Sequence, residues 1–397
     1  VIPRGKGGFA IQYNLKLIMV ETQKDIILYG HLPGPDEKIP AYAYNKSVIF
    51  EKESGLIIPI FPYDPDLPSL ENYFDEAAAA QKFEAVREEM ELTRGKIGIG
   101  EIRLLGYRLG RRCVIAFSLS DAAGYVKRAV VKVIRGASEN KPWDILWALE
   151  KHGYRFAEDN RLTVPHVYVS DPSGNAYIME FVDGRSLHDL IGKDDFPAGI
   201  EGAGRALAGL HARRIPARDT HTYLNELQGL EEKFLSAAET IPERRDDYYR
   251  MYDELEKHSW CIDDQFTSAV IHRDFYDKQV LFTRERVTIL DCDGVACGDP
   301  ALDVGNFLAH LRLRALQSPD NARQLEKAAG NFAGAYGTVD DAFGSRVRWW
   351  MGATMLRLAC LYVLRPRWRD LAPRLLDETQ MILSGKINIG GVNDGNA

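Results

Sequence analysis

His272-Arg273-Asp274-Phe275-Tyr276-Asp277-Lys278-Gln279 is preceded by the apolar run Ala269-Val270-Ile271 and followed by Val280-Leu281-Phe282. After a short turn come Val287-Thr288-Ile289-Leu290 and Asp291-Cys292-Asp293-Gly294, then Gly298-Asp299-Pro300 with Asp303 just beyond. The apolar runs read as short strands, so the polar residues between them sit on loops held by those strands. Asp274 is suited to accept the proton of an attacking hydroxyl. Asp291, seventeen residues later and leaving a buried strand, is suited to hold a divalent cation. Two carboxylates placed this way are what phosphoryl transfer asks of a protein.

The order H-x-D, apolar strand, D-x-D and G-D-P-x-x-D resembles the signature of the aminoglycoside phosphotransferase and choline kinase superfamily. His272, Asp274, Asp291, Asp293, Gly298, Asp299, Pro300 and Asp303 fall at its positions. Each piece alone is a weak motif; their order and spacing together are specific. The resemblance implies an α+β, bilobal protein-kinase-like fold with a β-rich N-terminal lobe and a mainly helical C-terminal lobe. It also implies Mg2+ and ATP as phosphoryl donor, with GTP as the other candidate. The expected partner is a small-molecule hydroxyl substrate: a sugar, an amino alcohol or an aminoglycoside-like compound.

One position departs from the family pattern. Gln279 stands where the pattern has Asn, offering the same carbonyl oxygen on a stem one methylene longer. Magnesium demands oxygens at about 2.0–2.1 Å in near-octahedral order, so a shift of backbone or ion must take up the extra length. Gln279 is therefore the sign that favours the alternative, a pseudokinase or nucleotide-binding regulatory protein. A protein kinase would carry D-F-G and A-P-E around an activation segment, whereas this chain runs from Asp291-Cys292-Asp293-Gly294 to Gly298-Asp299-Pro300 almost at once.

Further roles follow from the resemblance. Lys132, inside the apolar run Val130 to Ile134, needs an anionic partner if buried. The partners implied are the α/β-phosphates of ATP and a helix carboxylate, with Asp144 favoured over Glu139; an edge-strand lysine facing water is the other reading. Ala176 to Gly184 resembles a strand and hinge at which the backbone from Glu180 to Val182 reads an adenine ring. Asp291 and Gln279 are the expected magnesium ligands. Asp293 is either a second-metal ligand or the partner of a basic side chain such as Arg273. His211, in a helix resembling L-A-x-L-H, is expected to be structural, near the catalytic loop. Asp299 and Asp303 are expected to cap the start of the helix they precede or open. The C-terminal helices carry Trp349, Trp350, Met351, Tyr362 and Trp368, and also Arg346, Arg348, Arg357, Arg365 and Arg367. The aromatics would cage a choline-like cation, the arginines would hold phosphate or carboxylate, and helix core with a solvated face accounts for both equally well.

The 397 residues, 45% hydrophobic and 27% charged, allow two or three compact units with real cores. A net charge of −7 gives no support to nucleic-acid binding. No apolar stretch reaches about 18 residues and the first residues lack a signal-peptide core, so neither membrane insertion nor export is expected and the location expected is cytoplasmic. Five scattered cysteines lack metal-ligand spacing. Strands are expected near 12–20, 26–30, 47–51 and 55–61, and one or two helices from Ser69 to about Arg94. The expected division is 1–95 as a β-rich accessory domain with a bridging helix, 96–184 as N-lobe and hinge, and 185–397 as helical C-lobe. Gly110-Arg111 marks a tight turn rather than a glycine-rich loop. The accessory part holds none of the residues assigned to chemistry, so it is a candidate homodimer contact, and a chain starting near Gly95 is expected to keep nucleotide binding at lower stability.

Overall fold

A computed structural model describes residues 2–3, 9–18, 23–34, 37–136, 141–151, 162–215, 219–262, 266–337 and 340–387, with backbone alone up to residue 29. Glu139, weighed above as a partner of Lys132, lies outside the described residues. The chain packs as two compact units, Val1–Glu139 with His166–Phe181, and Asn140–Pro165 with Val182–Ala397.

The first unit begins with β1 (Ile2–Pro3), β2 (Phe9–Ile18), β3 (Gln23–Leu32), β4 (Val48–Glu51) and β5 (Leu56–Pro59), ordered β1-β2-β3-β5-β4 in one sheet. Helix α1 (Glu76–Glu84) follows, its first turn capped by Asp75, which accepts from the Ala78 N–H at 2.8 Å. The helical stretch expected to run to Arg94 stops a full turn and more before it. Beyond Glu84 the chain folds into successive turns, with Glu91 in the left-handed region at φ 59° and Arg87 Nε donating to the Leu92 carbonyl at 3.2 Å. Then come β6 (Gly98–Arg108), β7 (Arg112–Ser120) and β8 (Val126–Ile134). The chain leaves for the second unit to make α2 (Pro142–Lys151) and β9 (Leu162–Thr163), returns as β10 (Val167–Asp171) and β11 (Ala176–Glu180), and departs again after Phe181. The five strands order as β10-β11-β8-β7-β6, antiparallel throughout.

Packing divides the chain elsewhere than at residues 95 and 184. Leu67, Leu70, Tyr73, Phe83, Met90 and Leu92 share one core with Ile115, Phe117, Val131, Val133 and Ile178 of the second sheet. Residues 67–92 are thus a wall of that core, since their apolar positions have nowhere else to be buried. Asp64, 2% exposed, fastens the same segment to the β6–β7 turn by accepting from Gly110 N–H at 2.8 Å and Tyr107 O–H at 2.9 Å. Gly110 turns at φ 66°, and a Cβ there would meet Asp66 Oδ2 at 2.6 Å.

The second unit continues with β12 (Arg185–Ser186), α3 (Leu187–Leu190), α4 (Phe196–His211), β13 (Thr220–His221), α5 (Tyr223–Thr240) and α6 (Arg245–Lys257). It then makes β14 (Ala269–Ile271), β15 (Val280–Phe282), β16 (Val287–Ile289), β17 (Ala296–Gly298), α7 (Ala301–Gln317), α8 (Ala322–Tyr336), α9 (Asp341–Val363) and α10 (Ala372–Leu383). Two small sheets, β12-β15-β16-β9 and β13-β17-β14, carry the loops quoted at the outset. Helix α7 runs through the middle of the helical mass. Phe307 on α7 stacks on Phe332 of α8 at 4.0 Å, and Gly305 lets α9 approach so closely that a Cβ would meet Trp350 Cβ at 2.9 Å. Among the described residues no helix is long and apolar enough to cross a membrane.

Candidate active site

Strand β14 delivers the chain to His272, and a buried carboxylate catches it there. Asp303, wholly buried in the first turn of α7, accepts from the His272 N–H at 2.6 Å and the Arg273 N–H at 2.7 Å. His211 Nε2 sits 3.0 Å from the same carboxylate, and its Nδ1 lies 2.8 Å from the Tyr336 hydroxyl. Asp303 therefore holds the His272–Asp274 loop, whereas its position alone predicts a cap on its own helix. Asp299 does take that cap, accepting from Ala301 N–H at 3.0 Å, and also holds Arg346 at 3.2 Å and Trp350 Nε1 at 3.0 Å.

Arg273 turns the loop in the left-handed region at φ 70°. His272 Nε2 bonds the Leu290 carbonyl at 2.8 Å, an acceptor only, so this nitrogen carries the proton. Its Nδ1 is then free to accept from the Asp274 N–H at 3.3 Å. One imidazole thus ties the backbone of Asp274 to the residue before Asp291. Asn306 Nδ2 fixes the next residue by donating to the Phe275 carbonyl at 2.8 Å. Asp274 itself is exposed.

Gln279 is braced at both backbone ends: its N–H donates to the Tyr276 carbonyl at 2.9 Å and its carbonyl accepts from Leu290 N–H at 2.8 Å. Its buried side chain reaches Asp291, with Nε2 at 3.3 Å from Oδ2. Asp291 holds the left-handed conformation at φ 58° and ψ 48°, sparsely populated outside glycine and tolerated best by Asp and Asn. Asp293 follows, exposed, in a single 3-10 turn against which α2 packs. The Tyr276 phenol is pushed up to about 12, first by burial and then by Asp274, Asp277 and Asp291, which all lie within electrostatic reach of it.

The second unit thus brings Asp274, Gln279 and Asp291 to one place, with Asp293 on the adjoining turn. Lys132 belongs to the first unit, 4% exposed on the central strand β8 between Tyr177 and Val114, so the edge-strand reading fails. Glu180 ends β11, where its N–H donates to the His166 carbonyl at 2.8 Å. Val182 is buried at the start of the second unit, and Asp144 is exposed in the first turn of α2.

Sequence reasoning missed the polar group beneath the loop. Asp277, 1% exposed, is gripped by Arg314 through Nε at 2.8 Å and Nη2 at 3.1 Å, and by His188 Nδ1 at 2.7 Å. Burial opposes its charge, but His188 and Arg314 outweigh that and hold the carboxyl well below the usual range. The available signal was Asn306, His310, Arg314 and Gln317 on α7, whose spacing puts four polar residues on one face of a buried helix.

Asp291 and Gln279 present hard oxygen donors, which suit a magnesium ion that takes one or two protein carboxylates and completes its shell with phosphate and water. Among the described residues no group of three or more His, Cys, Asp or Glu could hold a metal, Cys292 and Cys297 included. The donor set therefore fits an ion shared with a phosphate better than one caged by protein.

The family model described as the phosphotransferase enzyme family matches residues 120–341, more than half of the chain. Among solved structures, the chain is similar to a choline/ethanolamine kinase family protein from Mesorhizobium loti, at 19% identity and TM-score 0.50, covering 77% of this chain and 94% of that one. It is similar to a choline kinase from Cryptosporidium parvum at 12% identity and TM-score 0.51, with 73% and 89% covered. It is also similar to an amicoumacin kinase in complex with AMP-PNP and Ca2+, at 16% identity and TM-score 0.52, with 82% and 98% covered. No curated protein matches. At such identities the likeness is one of fold, protein-kinase-like, with a β-rich N-terminal region and a helical C-terminal part. Together with the family match, it establishes that the chain belongs to the phosphotransferase enzyme family.

Proposed function

We propose that the protein is a small-molecule kinase that moves the γ-phosphoryl group of ATP, with GTP as the other candidate donor, to a hydroxyl group. The observation that carries this reading is the pairing of an exposed Asp274, on a loop fixed by buried Asp303, with Gln279 and Asp291 in contact at 3.3 Å. Asp274 orients the acceptor hydroxyl and takes its proton as the oxygen attacks the γ-phosphorus. The new P–O bond forms as the bond to the bridging oxygen breaks, and ADP leaves. Asp291 and Gln279 would hold Mg2+, which when bound neutralises phosphate charge; Asp293 would bind a second ion or a neighbouring basic side chain. Lys132 would steady the α/β-phosphates, and the backbone from Glu180 to Val182 would read the adenine. Relatives of similar fold include kinases of choline and of amicoumacin, which supports an acceptor of small-molecule size.

The test is a panel of hydroxylated small molecules incubated with Mg2+ and ATP, followed by ADP release and product mass. Asp274→Ala is expected to lower turnover by about 10²–10⁴-fold, the usual range for a lost general base, with nucleotide affinity retained. Near-normal turnover in that variant would overturn the assignment. Nucleotide binding indifferent to Mg2+, with no turnover, would favour the regulatory alternative.

A further inference from the structure

Most residues that the C-terminal helices offer to an acceptor are already engaged. Trp349, Trp350, Met351 and Tyr362 are buried in the helix core. Arg346 is held by Asp299 and Arg348 donates to the Ile382 carbonyl at 2.8 Å, while Arg367 is exposed beside Trp368, its charge over the ring at 4.9 Å. Arg357, in the last two turns of α9, and Arg365, two residues beyond its end, remain, and both lie within electrostatic reach of His310.

Arg357 reaches the catalytic loop through one intermediary. Its Nη2 donates to Asn306 Oδ1 at 2.7 Å, and Asn306 in turn holds the carbonyl of Phe275, the neighbour of Asp274. Its Nε is buried without a hydrogen bond, 3.6 Å from Glu226. A quarter of the Arg357 side chain nevertheless stays exposed. Arg365 is exposed, lies over the Tyr362 ring at 5.0 Å, and pairs with no carboxylate among the described residues. Between these arginines and the loop stands His310 of α7, its ring 4.4 Å from that of Tyr276 and its Nδ1 buried without a partner.

The local charges do not cancel. Arg314 is matched by Asp277, and Glu226 is shared between Arg357 and His221 at 3.4 Å, which leaves Arg365 uncompensated. A cationic acceptor would meet repulsion here; Trp349, Trp350 and Tyr362 are buried, and Arg367 already lies over the Trp368 ring.

We propose that Arg357 and Arg365 bind an anionic group, a carboxylate or a phosphate, on the acceptor whose hydroxyl meets Asp274. The inference rests on the kinase reading of the same site. Guanidinium groups match both anions in geometry and charge, while Tyr276 and His310 would wall the path between the two ends of the molecule.

The test uses the full chain with Mg2+ and ATP and compares kcat/KM for glycerate and ribose 5-phosphate, for their neutral counterparts glycerol and ribose, and for choline and ethanolamine. At least one anionic compound is expected to exceed its neutral counterpart by about tenfold or more, and which one does so separates carboxylate from phosphate. For that compound Arg365→Glu should raise KM by about 10–100-fold, the size of a lost charged hydrogen bond, with a smaller change in kcat and partial recovery in Arg365→Lys. Preference for neutral or cationic acceptors, or a KM unmoved by Arg365→Glu, overturns the proposal and leaves the kinase reading standing. No ADP release with any compound overturns the kinase reading, and this inference with it.

Discussion

Asp303 meets no substrate, yet two backbone N–H groups and one imidazole converge on it. Replacing it with Asn keeps the shape and puts an amide NH2 donor where an acceptor is needed, so one buried N–H loses its partner. Asp303→Asn is expected to cost about 1–3 kcal/mol of stability. It should also lower kcat by about 10²-fold, because the displaced loop carries Asp274 off line. Thermal melts and steady-state kinetics on one preparation check both, and unaltered kcat in a folded variant would remove Asp303 from the positioning role. At this scale Asp274, Gln279 and Asp291 were legible because they lie within a few residues of apolar runs that fix them. Asp277 was not, since its partners Arg314 and His188 stand 37 and 89 positions away and only folding unites them.

Helix α7 is buried almost all round, and its line of Asn306, His310, Arg314 and Gln317 faces Arg357, Thr354 and Tyr362 of α9 and its last turn. Such a line is costly in a helix core unless each member is satisfied. His310 is the exception: burial first, and then the nearby arginines, bring its pKa down to about 3 against the opposing pull of Asp277. The folded value is depressed from an unfolded one near 6.5. The neutral ring therefore contributes stability that is complete above about pH 6.5 and is lost as pH falls toward about 3. His310→Phe is expected to flatten the decline in denaturation midpoint between about pH 6.5 and 4; equal slopes in the two proteins would refute this. The sequence reads as helices near 301–316, 320–336, 339–364 and 371–384, and α7 to α10 fall within two residues of those bounds. Helices α8 and α10 lay a stripe on the core, whereas α7 and α9 are buried nearly all round. The stop of α1 was not legible, because the turns that end it depend on the side chain of Arg87 bonding backbone five residues on.

The whole molecule does not break where composition changes. The strands of residues 1–59 were readable from β-branched runs between turn signals, but the allegiance of residues 67–92 is written only in the packed core. A chain starting at Gly95 forfeits Leu67, Leu70, Tyr73, Phe83, Met90 and Leu92. At about 2–5 kcal/mol for each large buried side chain, the loss of six is about 12–30 kcal/mol, as large as or larger than the roughly 5–15 kcal/mol that typically holds a domain folded. That chain is expected to be insoluble or unfolded, whereas one starting near Phe61 should melt cooperatively; soluble yield and near-ultraviolet circular dichroism distinguish them. A well-folded Gly95 chain would mean that the core closes without its wall.

The grip of Asp64 on Gly110 has a further consequence. Amides in hairpin turns ordinarily trade hydrogen for deuterium quickly, since water reaches them. The Gly110 amide is instead buried against a carboxylate 46 residues upstream, so it should exchange as slowly as the strands beside it. Its rate would quicken only when residues 61–94 let go. That single amide therefore works as a latch indicator, reporting in real time whether residues 61–94 are seated.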